Sequence, residues 1–304
     1  MDGIDGGIGE MIVCFGSINV DLIFSLPHLP APGETVLTPH LAMVPGGKGA
    51  NQACAAARDG AQVVMAGAVG RDALAADALT LLRDAGVDLT RVVTVAAPTA
   101  TAAVMVAATG ENAIAVGSGA NLLARADQVE DALLSPATIL LLQMEVQTDE
   151  TIALIRHARA YGARIILNLA PAAPLPDEVL RLLDILVVNE TEAAFLANQC
   201  ASAPTATALH ASLGCAVIRT LGGAGCEYAD GGTNFHTPAH PIIPVDTTGA
   251  GDCFTGVLAT ALDRGFAIAP AIQRASIAAA LCCTRAGSQN TLPMRAETDA
   301  ALVP

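Results

Sequence analysis

Continuous apolar runs alternate with helix-length amphipathic segments, which predicts one doubly wound α/β domain over residues 11–304, a mostly parallel sheet flanked by helices. Two further observations support that class. Several of the apolar runs end in glycine or polar clusters, and open parallel sheets bind ligands at their carboxyl ends. Apolar residues make up 53% of the chain against 14% charged, enough interior to cover both faces of a sheet.

The first strand is expected over residues 11–15, closed by Gly16-Ser17, after an acidic, Gly-rich leader at 1–10 that adds nothing to the fold. Further strands are expected at 63–67, 139–142, 165–168, 185–188 and 216–220, each a short run rich in Val, Ile and Leu. Between them, helical patterns cover about 50–58, 73–84, 149–161, 178–183 and 190–198, and a last one follows from 253 to 262. Two stretches, 19–44 and 92–116, break the alternation with short period-two runs such as 20–24 and 101–106. They predict a small antiparallel sheet beside the main one, a discontinuous β lid; the alternative is a fixed pair of edge strands.

Fifteen basic against twenty-nine acidic residues leave a net charge of -14, which repels a phosphate backbone and argues against nucleic acid as a partner. No apolar run approaches about 18 residues, and the N-terminus carries acids where a signal peptide carries bases, so no membrane attachment is expected and the protein is read as soluble and cytoplasmic. The eight cysteines lack CxxC spacing and mostly sit in apolar runs, as reduced core residues do. His236 and His240 are four apart, but Pro238 between them argues against a helix aiming both rings at one metal, and a loop pair is expected.

The segment Asp246-Thr247-Thr248-Gly249-Ala250-Gly251-Asp252 reads as a tight turn opening a helix. The glycines let the backbone approach a ligand, and the first helical amides have no carbonyl partners, so a phosphate fits there. A carboxylate beside a phosphate is repulsive unless it has chemical work to do, such as accepting the proton of an attacking hydroxyl. The plainer reading is a Gly-rich helix start with Asp in its first turn for dipole reasons.

Gly46-Gly47-Lys48-Gly49-Ala50-Asn51 also precedes a helix, but it fails the Walker A pattern: Ala42 and Gly49 stand where Gly and Ser or Thr are required. No cluster fits GxGxxG after a strand. What remains is a glycine turn presenting Lys48 and Asn51 to a polar small molecule. Asn19 and Asp21 alternate with apolar residues after the first strand, so both face one way, and an acid and an amide together suit sugar hydroxyls. Glu145, Asn189-Glu190-Thr191-Glu192 and Thr220-Leu221-Gly222-Gly223-Ala224-Gly225 follow other strands, with helix capping an alternative account of Asn189. These clusters point to one shared crevice.

GSINVD, GGKGANQA, GENAIAVGSGAN, NETE, TLGGAG and DTTGAGD stand in the order and at the approximate spacings of the ribokinase family, within the larger group of PfkB-type carbohydrate and nucleoside kinases, which the chain resembles from residue 11 to about 293. The resemblance implies ATP-dependent transfer of the γ-phosphoryl group to the 5-hydroxyl of ribose. It makes Asp252 the general base and Gly249, Ala250 and Gly251 the anion hole. Asn19, Asp21, Gly47, Lys48, Asn51 and Glu145 match ribose-holding positions. Asn189 and Glu192 match an element associated with magnesium and phosphate. Thr220, Gly222 and Gly225 match a nucleotide loop, and Ser276 falls where the family lines its adenine pocket. A potassium ion is implied beneath the anion hole, with Asp246 and Thr248 on one side and Cys282, Arg285, Gly287 and Thr291 on the other, mostly through backbone carbonyls. A homodimer paired through the lid is implied as well. A same-fold kinase for another sugar or a nucleoside, and a non-catalytic sugar-binding regulator, are the alternatives.

Overall fold

The computed structural model describes residues 11–109 and 111–302; the leader at 1–10 and the last two residues of the expected domain lie outside the described residues. Among the described residues the main sheet has nine strands. Six of them are β1 (Met11–Phe15), β4 (Val63–Gly70), β5 (Asp88–Val95), β8 (Thr138–Leu142), β9 (Arg164–Asn168) and β10 (Ile185–Val188). The other three are β11 (Ala216–Thr220), β12 (Cys226–Ala229) and β13 (Asn234–Thr237), and the spatial order is β13-β12-β11-β10-β9-β8-β1-β4-β5. All pairings are parallel except those that β12 makes with its two neighbours. Every apolar run expected as a strand is one.

The central strands are apolar throughout because both faces are covered. Along β1, Ile12 and Cys14 face one core and Val13 and Phe15 the other, all fully buried. The first core is closed by α1 (Lys48–Arg58), α8 (Ala250–Asp263) and α9 (Ile268–Cys283), the second by α4 (Thr148–Ala160), α5 (Asp177–Leu180), α6 (Glu190–Gln199) and α7 (Ala206–Leu213). The helix expected over 73–84 is two short ones, α2 (Leu74–Ala78) and α3 (Thr80–Asp84). A final helix, α10 (Arg295–Leu302), is tied to the body by Arg274, which is 1% exposed and pairs with Asp59 and Asp299.

The small sheet contains β2 (Asn19–Leu26), β3 (Leu41–Gly46), β6 (Ala100–Ala107) and β7 (Asn112–Gly117). Its outer pairings are antiparallel, and the central one, β2 with β6, is parallel. One expected boundary is corrected: the segment 92–116 does not belong to it as a whole, because Val92 to Val95 lie in β5, paired in parallel with β4 in the main sheet. An edge strand of a large sheet is half exposed, so β5 alternates in burial just as a strand of a small sheet does.

Candidate active site

Helix α8 is capped at its start by Gly249, which has φ 78° and ψ -3°, a left-handed conformation that favours glycine. The first full-turn bond of the helix runs from the Cys253 amide to the Gly249 carbonyl at 2.8 Å, so the amides of Gly251 and Asp252 precede the helical ladder. Both residues line a cleft of about 200 Å³ together with Lys48, Asn168, Glu192 and Thr220. Asp252 is only 7% exposed, and each carboxylate oxygen receives an amide: Asn51 Nδ2 donates to Oδ2 at 3.0 Å and Gln52 Nε2 donates to Oδ1 at 2.9 Å. The remaining lone pairs are free to accept a proton in a site that carries unpaired donors for an anion.

On the lid side, β2 carries Asn19 and Asp21 on one face, as their alternation requires. Gly46 stands against Asp21: a Cβ there would come within 2.2 Å of Asp21 Oδ2. Burial first, then the nearby carboxylates of Glu145 and Asp252, push the Asp21 carboxyl up to about 7 against the pull of Lys48. The Lys48 ammonium is held above its ordinary value chiefly by the Asp252 carboxylate, which outweighs burial. Glu145 is fixed through one oxygen, Oε2, which accepts from Ser17 Oγ at 2.6 Å and from the Lys48 amide at 3.1 Å, leaving Oε1 for a hydroxyl. Asn19 is oriented too. Asn121 accepts from the Ile18 amide at 3.0 Å and donates to Asn19 Oδ1 at 2.7 Å, so the Asn19 amide group is left as a donor. Gly47, at φ 90°, begins α1 with Lys48, and Asn51 follows one turn later.

Asn189 caps α6 in a closed capping box: its side chain accepts from the Glu192 amide at 2.9 Å, and Glu192 Oε2 accepts from the Asn189 amide at 2.8 Å. The capping account of Asn189 is therefore correct, and Glu192 nonetheless lines the cleft with a carboxyl raised by burial. Thr220 ends β11 at the same cleft, and the turn from Gly222 to Gly225 follows it. Gly225 has φ 95°, and a Cβ there would meet the Thr237 carbonyl at 2.0 Å. Ser276 does not reach the first cleft; it lines a second one of about 500 Å³ with Pro238, His240 and Ile277. His236 also lines it but sits on β13 rather than in a loop, bonded through Nε2 to the Ala224 carbonyl at 2.7 Å, which ties the glycine turn to that cleft.

Beneath α8, Asp246 bridges two loops: Oδ1 accepts from the Thr248 amide at 2.9 Å and Oδ2 from the Gly287 amide at 3.1 Å. Burial works against its charge, but these amides outweigh it and hold the carboxyl below its usual value. Cys282 Sγ lies 3.9 Å from the Thr248 carbonyl and 3.0 Å from Thr291 Oγ1, and the Arg285 guanidinium turns outward to Glu297. The six residues expected around a monovalent ion thus form one neighbourhood of carbonyls and a carboxylate. Sequence reasoning missed Ser17, Gln52, Asn121, Gln143 and Gln289, which hold the polar groups from behind, and Asn168, which lines the cleft and accepts from Gln52. Their signal was a buried amide or hydroxyl beside an identified motif.

The chain matches the pfkB family of carbohydrate kinases over residues 10–295. It is 36% identical to the ribokinase of Bacillus subtilis over 298 residues, covering 96% of this chain and 99% of the relative. The structure is similar to the ribokinase of Thermotoga maritima, with a TM-score of 0.87 at 31% identity over 97% of this chain and 99% of that one. It is also similar to the ribokinase of Arabidopsis thaliana complexed with ribose and ATP, with a TM-score of 0.86 at 29% identity over 98% and 100%. A helix start with free amides and a buried carboxylate in one cleft agree with that likeness: the chain belongs to the pfkB family of carbohydrate kinases.

Proposed function

We propose that this protein transfers the γ-phosphoryl group of ATP to the 5-hydroxyl of ribose, giving ribose 5-phosphate and ADP. The observation that supports the reading is that Asp252, Lys48 and the start of α8 line one cleft, with Asn51 bonded to Asp252 and the Asp21 and Glu145 carboxylates close enough for the charges of Glu145 and Asp252 to act on Asp21. Asp252 takes the hydroxyl proton as the sugar oxygen bonds to the γ-phosphorus and the bond to the β,γ-bridging oxygen breaks. The amides of Gly249 and Gly251 stabilise charge on the transferring group, while that of Ala250, which donates to the Thr247 carbonyl at 3.3 Å, must turn from it to join them, and Lys48 adds a fixed positive charge.

The nucleotide is read as running from the cleft over Thr220, Gly222 and Gly225 to the second cleft at Ser276. Magnesium supplies neutralisation of phosphate charge when bound, and the desolvated Glu192 carboxylate beside Asn189 fits its preference for oxygen ligands. A potassium ion fits the carbonyl-rich ground around Asp246, Thr248, Cys282, Arg285, Gly287 and Thr291. The 19–44 and 100–117 segments act as a lid, and two copies pair through it. Eight free cysteines fit a reducing, cytoplasmic setting.

The test is ADP release with saturating magnesium ATP and potassium, using ribose beside a panel of other sugars and nucleosides. Ribose-dependent turnover that falls about a hundredfold or more in Asp252→Asn, with the sugar KM little changed, is expected. Faster turnover with a different acceptor reassigns the substrate, and near-normal turnover in Asp252→Asn removes the base. Replacing potassium by tetramethylammonium in the same assay should depress turnover; indifference removes the ion.

A further inference from the structure

Asp252 projects from α8 toward α1, and those two helices approach unusually closely. A Cβ on Gly256, one turn beyond Asp252, would lie 2.4 Å from the Gln52 carbonyl, so the glycine permits the approach. Gln52 is fully buried, and its Nε2 donates both to Asp252 Oδ1 at 2.9 Å and to Asn168 Oδ1 at 3.1 Å. With two acceptors on that side, the nitrogen must face them and the oxygen must face away. There, Gln143 Nε2 donates to Gln52 Oε1 at 2.8 Å. Gln143 is fully buried as well, and it occupies the space a side chain at position 16 would need: a Cβ on Gly16 would meet Gln143 Oε1 at 1.9 Å. Two glycines, one on α8 and one in the connection between β1 and β2, thus make room for one directed row of amides ending at the carboxylate.

That row is costly as mere packing. Gln143 Oε1 is buried without a hydrogen-bond partner, where an apolar side chain would leave no such orphan. We propose that Gln52, braced by Gln143, is a positioning residue that fixes the rotamer of the Asp252 carboxylate, so that one oxygen is presented to the sugar hydroxyl in line with the phosphoryl group. The inference rests on the reading of Asp252 as the base. A misaimed carboxylate slows proton transfer and in-line attack without loosening either substrate, because Gln52 does not line the cleft.

The test is steady-state kinetics of Gln52→Met and Gln143→Met, with whichever acceptor of the panel turns over fastest, each also placed in the Asp252→Asn background. Gln52→Met is expected to lower kcat about tenfold or more while the KM values for sugar and ATP stay within about twofold, and Gln143→Met to lower kcat by a smaller factor. In the Asp252→Asn background both substitutions should cost less than about twofold, since the group they aim is gone. An equal loss in both backgrounds, a wild-type kcat, or a change in KM alone overturns the proposal. Should Gln52→Met fail to fold, Gln143→Met decides by the same criteria. An enzyme that turns over normally as Asp252→Asn overturns the functional reading itself, and no turnover with any acceptor overturns both.

Discussion

Asp21 concentrates the electrostatic tension of the sugar side, since burial and two neighbouring carboxylates raise its carboxyl to about 7. In the unfolded chain the same group titrates near about 4. The folded state therefore keeps the proton to higher pH than the unfolded one, and this group costs stability progressively as pH rises from about 4 to 7, with the full cost above that. Asp21→Asn should raise the Tm of the ligand-free protein at pH 8 by about 3 °C or more, with the gain fading toward pH 4, while the sugar KM rises about tenfold or more. Thermal melts at the two pH values check it; an equal gain at both would mean that titration is not the cause. Residue types and their motif positions made Asp21, Lys48, Glu145 and Asp252 legible in the sequence. The residues that hold such groups in place were not: Gln52 lies 200 positions from Asp252, Gln143 91 from Gln52 and Asn121 102 from Asn19, and no local pattern encodes such a distance.

Strand β3 shows how an element makes room for a carboxylate through the absence of a side chain. Gly46 pairs with Asn19 in the β2–β3 ladder, and its missing Cβ is the space the Asp21 carboxylate occupies. Gly46→Ala should raise the sugar KM about tenfold or more and leave the ATP KM within about twofold, because the group that the added methyl displaces is the Asp21 carboxylate. Initial-rate kinetics with each substrate varied in turn will decide, and an unchanged sugar KM would show that Asp21 can yield without loss. At this scale the central strands were readable because burial on both faces makes them continuously apolar. Strands β12 and β13 and helix α7 were not, being short, partly exposed and set by their neighbours rather than by a pattern of their own.

For the molecule as a whole, the small sheet leaves an apolar row uncovered. Ile114 is 57% exposed and shares a cross-strand row with Val104 and Ile23, an arrangement that favours burial against a second copy. The proposed pairing of two copies through this sheet predicts that the wild-type chain sediments as a dimer and Ile114→Lys as a monomer in sedimentation velocity, with the fold unchanged by circular dichroism. A wild-type chain that already sediments as a monomer would remove the lid pairing.

The sequence by itself determined the doubly wound class, the strand ends that carry polar and glycine clusters and the glycine-rich turn of residues 246–252 that opens a helix, because periodicity and glycine placement are local properties of the chain. Tertiary structure alone decided that β5 joins the main sheet rather than the lid, that Ser276 serves a second cleft, and that Asp252 is gripped by two amides from α1. Those facts depend on which surfaces come within hydrogen-bonding distance after the chain packs, and such distances are fixed by the close approach of whole elements.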